Sequence, residues 1–211
     1  DNYFVLITRE NLYNLPYSVD EIYGLHESGK YHDTRKVYQQ MYHIYSIEEK
    51  FPIEPEKIIV EDSNSGYEFF KNISAEKNIA CLSAGGKSNI FSLIKRQSAE
   101  EICIVADGAA IGPEMNRLYK ETIKKKNIHL YLPESFEWLI LSSDLISDKD
   151  IKIILEEPEN YIDSAEYFSW ERFFTKLLMT RTEETYLKYS KLKLNANYLH
   201  EKNKEKIVNA M

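Results

Sequence analysis

The chain has 211 residues, of which 43% are hydrophobic, and a formal net charge of −7. This length allows one large or two small domains, and the acidic balance argues against a generally basic, nucleic-acid-coated surface. The net charge does not exclude a local basic groove. No apolar run approaches the length that spans a bilayer, and no signal peptide is visible. We therefore expect a cytoplasmic protein without membrane contact, with Cys81 and Cys103 as buried free thiols.

The N-terminal quarter opens with a wholly apolar stretch at residues 3–7. Such a run is typical of a strand buried on both faces of a parallel sheet. Its neighbouring strands would have to precede Asp1, so we expect the chain to be part of a longer protein. Residues 34–46 carry apolar side chains at helical spacing, which predicts an amphipathic helix. Two prolines among charges then indicate a domain boundary at about residue 52.

Two later strands are each predicted to end on acids. Residues 58–60 lead into Glu61 and Asp62, and residues 102–106 lead into Asp107. The carboxyl ends of parallel strands meet at one edge of a sheet, where open α/β folds bind their ligands. Carboxylate oxygens there are suited to a hard divalent cation. The alternative is that Glu61 and Asp62 only begin the next helix, where the helix dipole favours acids.

The stretch from about residue 56 to residue 141 alternates strand and helix patterns. This order predicts an α/β fold with a mainly parallel four-stranded sheet and helices on both faces. The predicted strands cover residues 57–60, 78–83, 102–106 and 128–132, and the predicted helices begin near residues 67, 87, 113 and 134.

A glycine turn separates the second predicted strand from its helix. Gly86-Lys87-Ser88 ends like a phosphate-binding loop, but the first glycine of that motif would fall on Cys81, so the usual phosphate cradle is not expected. Gly85 and Gly86 could still present backbone N–H groups to an anion at a helix N-terminus. A tight strand-to-helix turn explains the same residues, and the two interpretations are compatible.

The C-terminal part, residues 147–211, is predicted to be a helical extension. Thr180 and Glu183 have the spacing of a capping box that would open one helix, and the polar tail from Asn195 is expected to fray. A preceding helix is predicted from apolar side chains at core-facing spacing, which are Trp170, Phe173, Phe174, Leu177 and Leu178.

Four segments together resemble a TOPRIM domain, the metal-binding module of topoisomerases, primases and OLD-family nucleases. The matching segments are residues 58–66, 83–90, 104–112 and 132–141, somewhat under half of the chain. The resemblance places the family glutamate at Glu61. It places the family's Asp-x-Asp-x-x-Gly motif at Asp107 to Gly112, with Ala109 where the second aspartate is expected.

This resemblance implies a Mg²⁺ site and a set of roles. Metal ligands would be Glu61, Asp62, Asp107 and Glu137, and the catalytic residues would be Glu61, Asp107 and Lys87. Gly85, Gly86 and Ser88 would bind the anionic part of a ligand. Ala109 is expected to weaken metal binding, because one carboxylate is lost. Asp62, Glu114 or Glu137 could replace it.

The resemblance also suggests how the chain is divided. Residues 1–51 would be the end of an upstream domain, since residues 3–7 followed by Thr8 resemble a late core strand of P-loop ATPases. Residues 52–146 would form the TOPRIM-like domain, and residues 147–211 the extension. ATP, if bound at all, would belong to the upstream domain, which would be the main partner.

Three functions remain open from the sequence. The first is an accessory or sensor module of an ATP-dependent bacterial protein, as in defence systems, with a partly degenerate metal site. The second is an active Mg²⁺-dependent nuclease that cleaves DNA or RNA. The third is a receiver-like nucleotide-binding α/β domain, which would leave the helix of Glu137 without a role. Nucleic acid and a second copy of the chain are candidate partners.

Overall fold

The computed structural model describes residues 21–28, 37–46, 54–96, 100–108, 110–162, 165–167 and 169–211. Strands β1 (Glu21–Ser28) and β2 (Val37–Ser46) form an antiparallel pair. The helix predicted over residues 34–46 is therefore wrong. Tyrosines and β-branched residues recur along β2, and such residues favour a strand even where the apolar spacing also fits a helix. The strand predicted at residues 3–7 lies outside the described residues.

Four short strands form the central sheet. They are β3 (Lys57–Val60), β4 (Ala80–Ser83), β5 (Ile102–Val105) and β6 (Ile128–Tyr131). The spatial order is β4-β3-β5-β6 and every pair is parallel. The predicted four-stranded parallel sheet is confirmed, with β3 and β5 as the two central strands. Their continuous apolar sequences suit strands that are covered on both faces.

Seven α-helices surround this sheet within the described residues. They are α1 (Ser65–Glu76), α2 (Lys87–Lys95), α3 (Gly112–Lys124), α4 (Phe136–Ser142), α5 (Lys149–Glu156), α6 (Trp170–Thr182) and α7 (Glu201–Asn209). Two short 3-10 helices cover Pro158–Asn160 and Ala196–Leu199. None of the helices in the described ranges is long and apolar enough to cross a membrane.

The side chains of each central strand alternate between two hydrophobic cores. Ile59 and Ile104 are fully buried in a core shared with α2 and α3. Val60 and Val105 face the other core, which also contains buried residues of α1, α4, α6 and α7. Helices therefore cover both faces, as the sequence predicts, and the loops after β3 and β5 meet at one sheet edge.

The C-terminal region departs from its sequence prediction in two places. Helix α6 does place Phe173, Phe174 and Leu178 in the core. However, Thr180 lies inside α6 and opens no further helix. The chain turns after Thr182, whose hydroxyl donates to the Leu178 carbonyl at 2.7 Å and accepts the Tyr189 amide at 3.0 Å. These two bonds hold the returning chain against the last turn of α6.

The tail does not fray as predicted. Tyr198 and Ile207 are fully buried, and α7 is held to α1 by Lys204, whose Nζ lies 2.6 Å from a Glu76 carboxylate oxygen. The polar composition of the tail therefore reflects only its outer surface. Its few apolar side chains bind it to the same core as α1 and α4.

Phe174→Ala should lower the free energy of unfolding by about 3–5 kcal/mol, because it removes a fully buried ring from the core under the sheet. Urea denaturation measures the change. Leu192→Ala is the matched control, since Leu192 is 80% exposed, and its effect should stay within about 0.5 kcal/mol. Similar effects at both positions would contradict the described core.

Candidate functional site

The candidate site lies where β3 and β5 end. Glu61 directly follows β3, and its N–H donates to the Val105 carbonyl at 2.8 Å. Asp107 follows β5 after one residue, and its N–H donates to Glu61 Oε2 at 3.0 Å. Backbone pairing thus continues past the strands and holds the two acids side by side. The adjacency that the sequence predicts for these strand ends is present.

Both acids are electrostatically perturbed. Burial raises the pKa of Glu61 above its ordinary value. Burial also raises the pKa of Asp107 well above its ordinary value, and repulsion from Glu61 raises it further. Desolvation and a neighbouring like charge both favour the protonated acid. When both acids are ionised, the pair is therefore unfavourable, and a nearby cation would relieve the repulsion.

Asp62 has a different role from Glu61. Its Oδ1 accepts the Tyr67 N–H at 2.9 Å, which satisfies an amide in the first turn of α1. The helix-start interpretation therefore holds for Asp62. Gly66 lets the carboxylate approach, because a Cβ at that position would lie 3.2 Å from Asp62 Oδ2. Burial raises the pKa of Asp62 as well.

Glu137 reaches the site from α4. The Oγ of Ser135 accepts the Trp138 N–H at 3.1 Å and caps this helix, which fixes Glu137 in the first turn. The Glu137 side chain is almost fully buried, and its Oε1 accepts the Tyr189 hydroxyl at 2.8 Å. Lys191 Nζ lies 3.6 Å from the same oxygen. Glu137 is thus already bound within the protein.

Lys191 lies among several of these acids. It pairs with Glu171 of α6 as well as with Glu137. Burial alone would lower the pKa of Lys191, but attraction to Glu137 and Glu171 outweighs it and raises the pKa. Its charge also opposes the rise in the pKa of Asp107. Lys191 therefore partly neutralises several acids at once.

Sequence reasoning missed Glu171, Tyr189 and Lys191. Glu171 reads as an ordinary acid in the first turn of a helix. Tyr189 lies in the helix that the capping box at Thr180 predicts, and Lys191 follows it, but the structure has no helix at either residue. Their place in the site depends on the chain returning across the β3–α1 turn more than a hundred residues later. No local signal in the sequence carries that information.

The glycine turn after β4 borders the same edge. Gly85 and Gly86 have φ values of 67° and 126°, which favour glycine. The Gly86 N–H donates to the Glu61 carbonyl at 2.8 Å, and the Gly85 N–H donates to Ser83 Oγ at 3.1 Å. An anion would have to use the amides of Lys87 and Ser88 instead, because both glycine amides are bound inside the protein.

Lys87 faces the loop after β5. Its Nζ donates to the Ala110 carbonyl at 2.7 Å, and its charge opposes the rise in the pKa of Glu61. Ala109 lies outside the described residues. Glu114, a candidate replacement for the missing acid, is paired with Arg117 on α3. A small cleft runs between the two acids and is lined by Glu61, Asp62, Gly66, Phe70, Asp107 and Phe136, among others.

The acids at this edge form a pair and not a larger cluster of possible metal ligands. Among the described residues, no three Asp, Glu, His or Cys side chains are grouped closely enough to hold one metal ion. Mg²⁺ is usually bound by one or two carboxylates together with water and substrate phosphates. Glu61 and Asp107 form such a pair.

No protein-family model, curated protein or solved structure matches the chain, so no relative bears on this assignment.

Asp107→Asn should change how stability depends on pH in metal-free buffer. The folded-state pKa of Asp107 lies well above the ordinary 3.8, so the folded chain binds this proton more tightly than the unfolded chain. The stability of the wild type should therefore fall as pH rises from about 4 through that raised pKa. Asparagine carries no charge, so Asp107→Asn should become more stable relative to wild type as pH rises from 4 to 7.

Urea denaturation at both pH values measures this gain. Glu156→Gln removes an exposed carboxylate from the end of α5 and serves as the control, whose offset from the wild type should change little with pH. If Asp107→Asn kept a constant offset from the wild type, the carboxyl of Asp107 would not be electrostatically strained in the folded chain.

Proposed function

We propose that the chain binds a divalent cation, with Mg²⁺ the expected ion, through the carboxylates of Glu61 and Asp107. The observation that carries this proposal is the hydrogen bond from the Asp107 N–H to Glu61 Oε2. It places the Glu61 carboxylate against the backbone of Asp107, so that two desolvated acids are neighbours at the carboxyl edge of a parallel sheet, where such folds bind ligands. A cation would replace their mutual repulsion with attraction.

Within this proposal the chain is a TOPRIM-like accessory or sensor module of an ATP-dependent protein. Ala109 stands at the position of the second motif acid, which supports a metal site that lacks one carboxylate ligand. The engagement of Glu137 by Tyr189 and Lys191 supports it too, because this carboxylate is already neutralised inside the protein. Such a module would respond to cation binding without catalysing a reaction.

Hydrolysis of phosphodiester bonds in DNA or RNA is the second candidate. Perturbed pKa values clustered in a cleft are typical of catalytic sites, and Glu61 and Asp107 are both perturbed in the same direction. When bound, Mg²⁺ would stabilise the negative charge that develops on a phosphodiester. Lys87, which lies beside the loop after β5, could bind a phosphate oxygen.

Thermal denaturation with and without Mg²⁺ or Mn²⁺ tests the cation site. Saturating metal should raise the Tm of the wild type by several degrees, because a ligand that binds only the folded state stabilises it. Asp107→Ala and Glu61→Gln should each abolish most of the rise. Glu156→Gln should keep it, since that side chain is remote in sequence and exposed.

A parallel assay with single-stranded and double-stranded DNA and RNA separates the two candidates. Metal-dependent cleavage that Asp107→Ala abolishes would favour the hydrolase. A metal-dependent rise in Tm without cleavage would favour the accessory module. No rise in Tm with either metal would contradict the cation site. Glu61 and Asp107 would then be a buried pair of acids that binds no metal.

A further inference from the structure

The C-terminal segment of residues 183–195 packs against the start of α1, next to the proposed cation site. The Lys191 carbonyl accepts the Ser65 N–H at 3.1 Å, which places the segment against the start of α1. The Leu194 N–H donates to Glu68 Oε2 at 2.7 Å, one turn further along α1. This segment is therefore attached to the same loop and helix that position Glu61 and Asp62.

The inner side of the segment is bonded to the acids. The Tyr189 hydroxyl lies 2.6 Å from Ser65 Oγ and donates to Glu137 Oε1 at 2.8 Å. Lys191 extends inward to Glu137 and Glu171, and its charge acts on Asp62 and Asp107 as well. Its neighbours Leu192 and Lys193 are instead exposed. Only Lys191 delivers a positive charge from this segment into the acidic group.

We propose that Lys191 is a built-in counter-cation of this site, so that its ammonium group and a divalent cation compete for the same carboxylate field. This inference rests on the proposed cation site at Glu61 and Asp107. Each positive charge lowers the affinity of the acids for the other. The docking of residues 183–195 and the binding of the cation are therefore negatively coupled, and the coupling is reciprocal.

The coupling turns the segment into a switch. Without a divalent cation, Lys191 offsets the repulsion among the buried acids and the segment is held at both Ser65 and Glu68. Cation binding repels Lys191 and weakens these contacts. A partner that captured the segment would in turn raise cation affinity. The docking of residues 183–195 would thus depend on whether a cation is bound at the sheet edge.

Titration of the wild type and of Lys191→Met with Mg²⁺ tests the inference, with the Tm as the readout. Lys191→Met should reach half of its maximal shift at a Mg²⁺ concentration at least about threefold lower than the wild type, because a unit charge near the metal is removed. Lys193→Met is the matched control. It removes the same charge from an exposed side chain two residues along and should change the midpoint less than twofold.

The outcomes distinguish this inference from the proposed function. A wild-type shift with an equal or higher midpoint in Lys191→Met would overturn the counter-cation role and leave the cation site standing. No shift in either protein would overturn the cation site, and this inference with it. A shift seen only in Lys191→Met would support both, with Lys191 excluding the cation from the wild type.

Hydrogen exchange on the wild type gives a readout that needs no variant, should Lys191→Met fail to fold. The amides of Ser65 and Leu194 report the two contacts of the segment with α1. Saturating Mg²⁺ should speed their exchange at least about threefold while the amides of the central strand β5 are unchanged or slower. Slower or unchanged exchange at Ser65 and Leu194, in a chain that binds Mg²⁺, would overturn the coupling.

Discussion

Two acids that repel each other are held side by side by the backbone of the sheet. The parallel pairing of β3 with β5 brings Glu61 and Asp107 to the same edge, and the Asp107 amide then binds the Glu61 carboxylate. Burial removes water that would otherwise screen them, so the pKa of both acids rises. Such a pair is costly unless a positive charge or a proton lies nearby. Positively charged side chains around the pair lower this free-energy cost.

Compensating positive charges come from both sides of the sheet. On one side, Lys87 at the start of α2 opposes the rise in the pKa of Glu61. On the other, Lys191 lies between Glu137 and Glu171 and extends its field to Asp107. Residues from β3, β5, α2, α4, α6 and the 183–195 segment therefore meet at one edge. A divalent cation would be the third positively charged group in this arrangement, which is why its binding should compete with that of Lys191.

The fold of residues 57–142 could be predicted from the sequence because its signals are local. Short apolar runs such as residues 102–106 are bounded by turn residues, and the acids that follow them mark the strand ends. The helix predicted over residues 34–46 is wrong, since an apolar spacing that fits a helix also occurs in a tyrosine-rich strand. The predicted fraying of the tail is wrong because a polar composition hides a few buried side chains, of which Tyr198 and Ile207 are fully buried.

The residues of the candidate site also divide into those with local sequence signals and those without. Glu61 and Asp107 could be found from the sequence, because the ends of parallel strands converge by rule. Tyr189 and Lys191 could not, because their positions depend on the path of the chain after α6. That path is set by long-range bonds such as the Leu194 amide to Glu68. Sequence patterns describe neighbours along the chain, and the bonds from this segment to Ser65 and Glu68 join residues that are more than a hundred positions apart.

A crystal structure of the chain grown with Mn²⁺ tests the central claim most directly, because the anomalous signal locates the metal. The account predicts a Mn²⁺ peak within coordination distance of carboxylate oxygens of both Glu61 and Asp107, about 2.0–2.3 Å as for oxygen ligands of hard cations. An ordered edge with no metal, and with Asp107 bonded only to protein groups at saturating Mn²⁺, would contradict it.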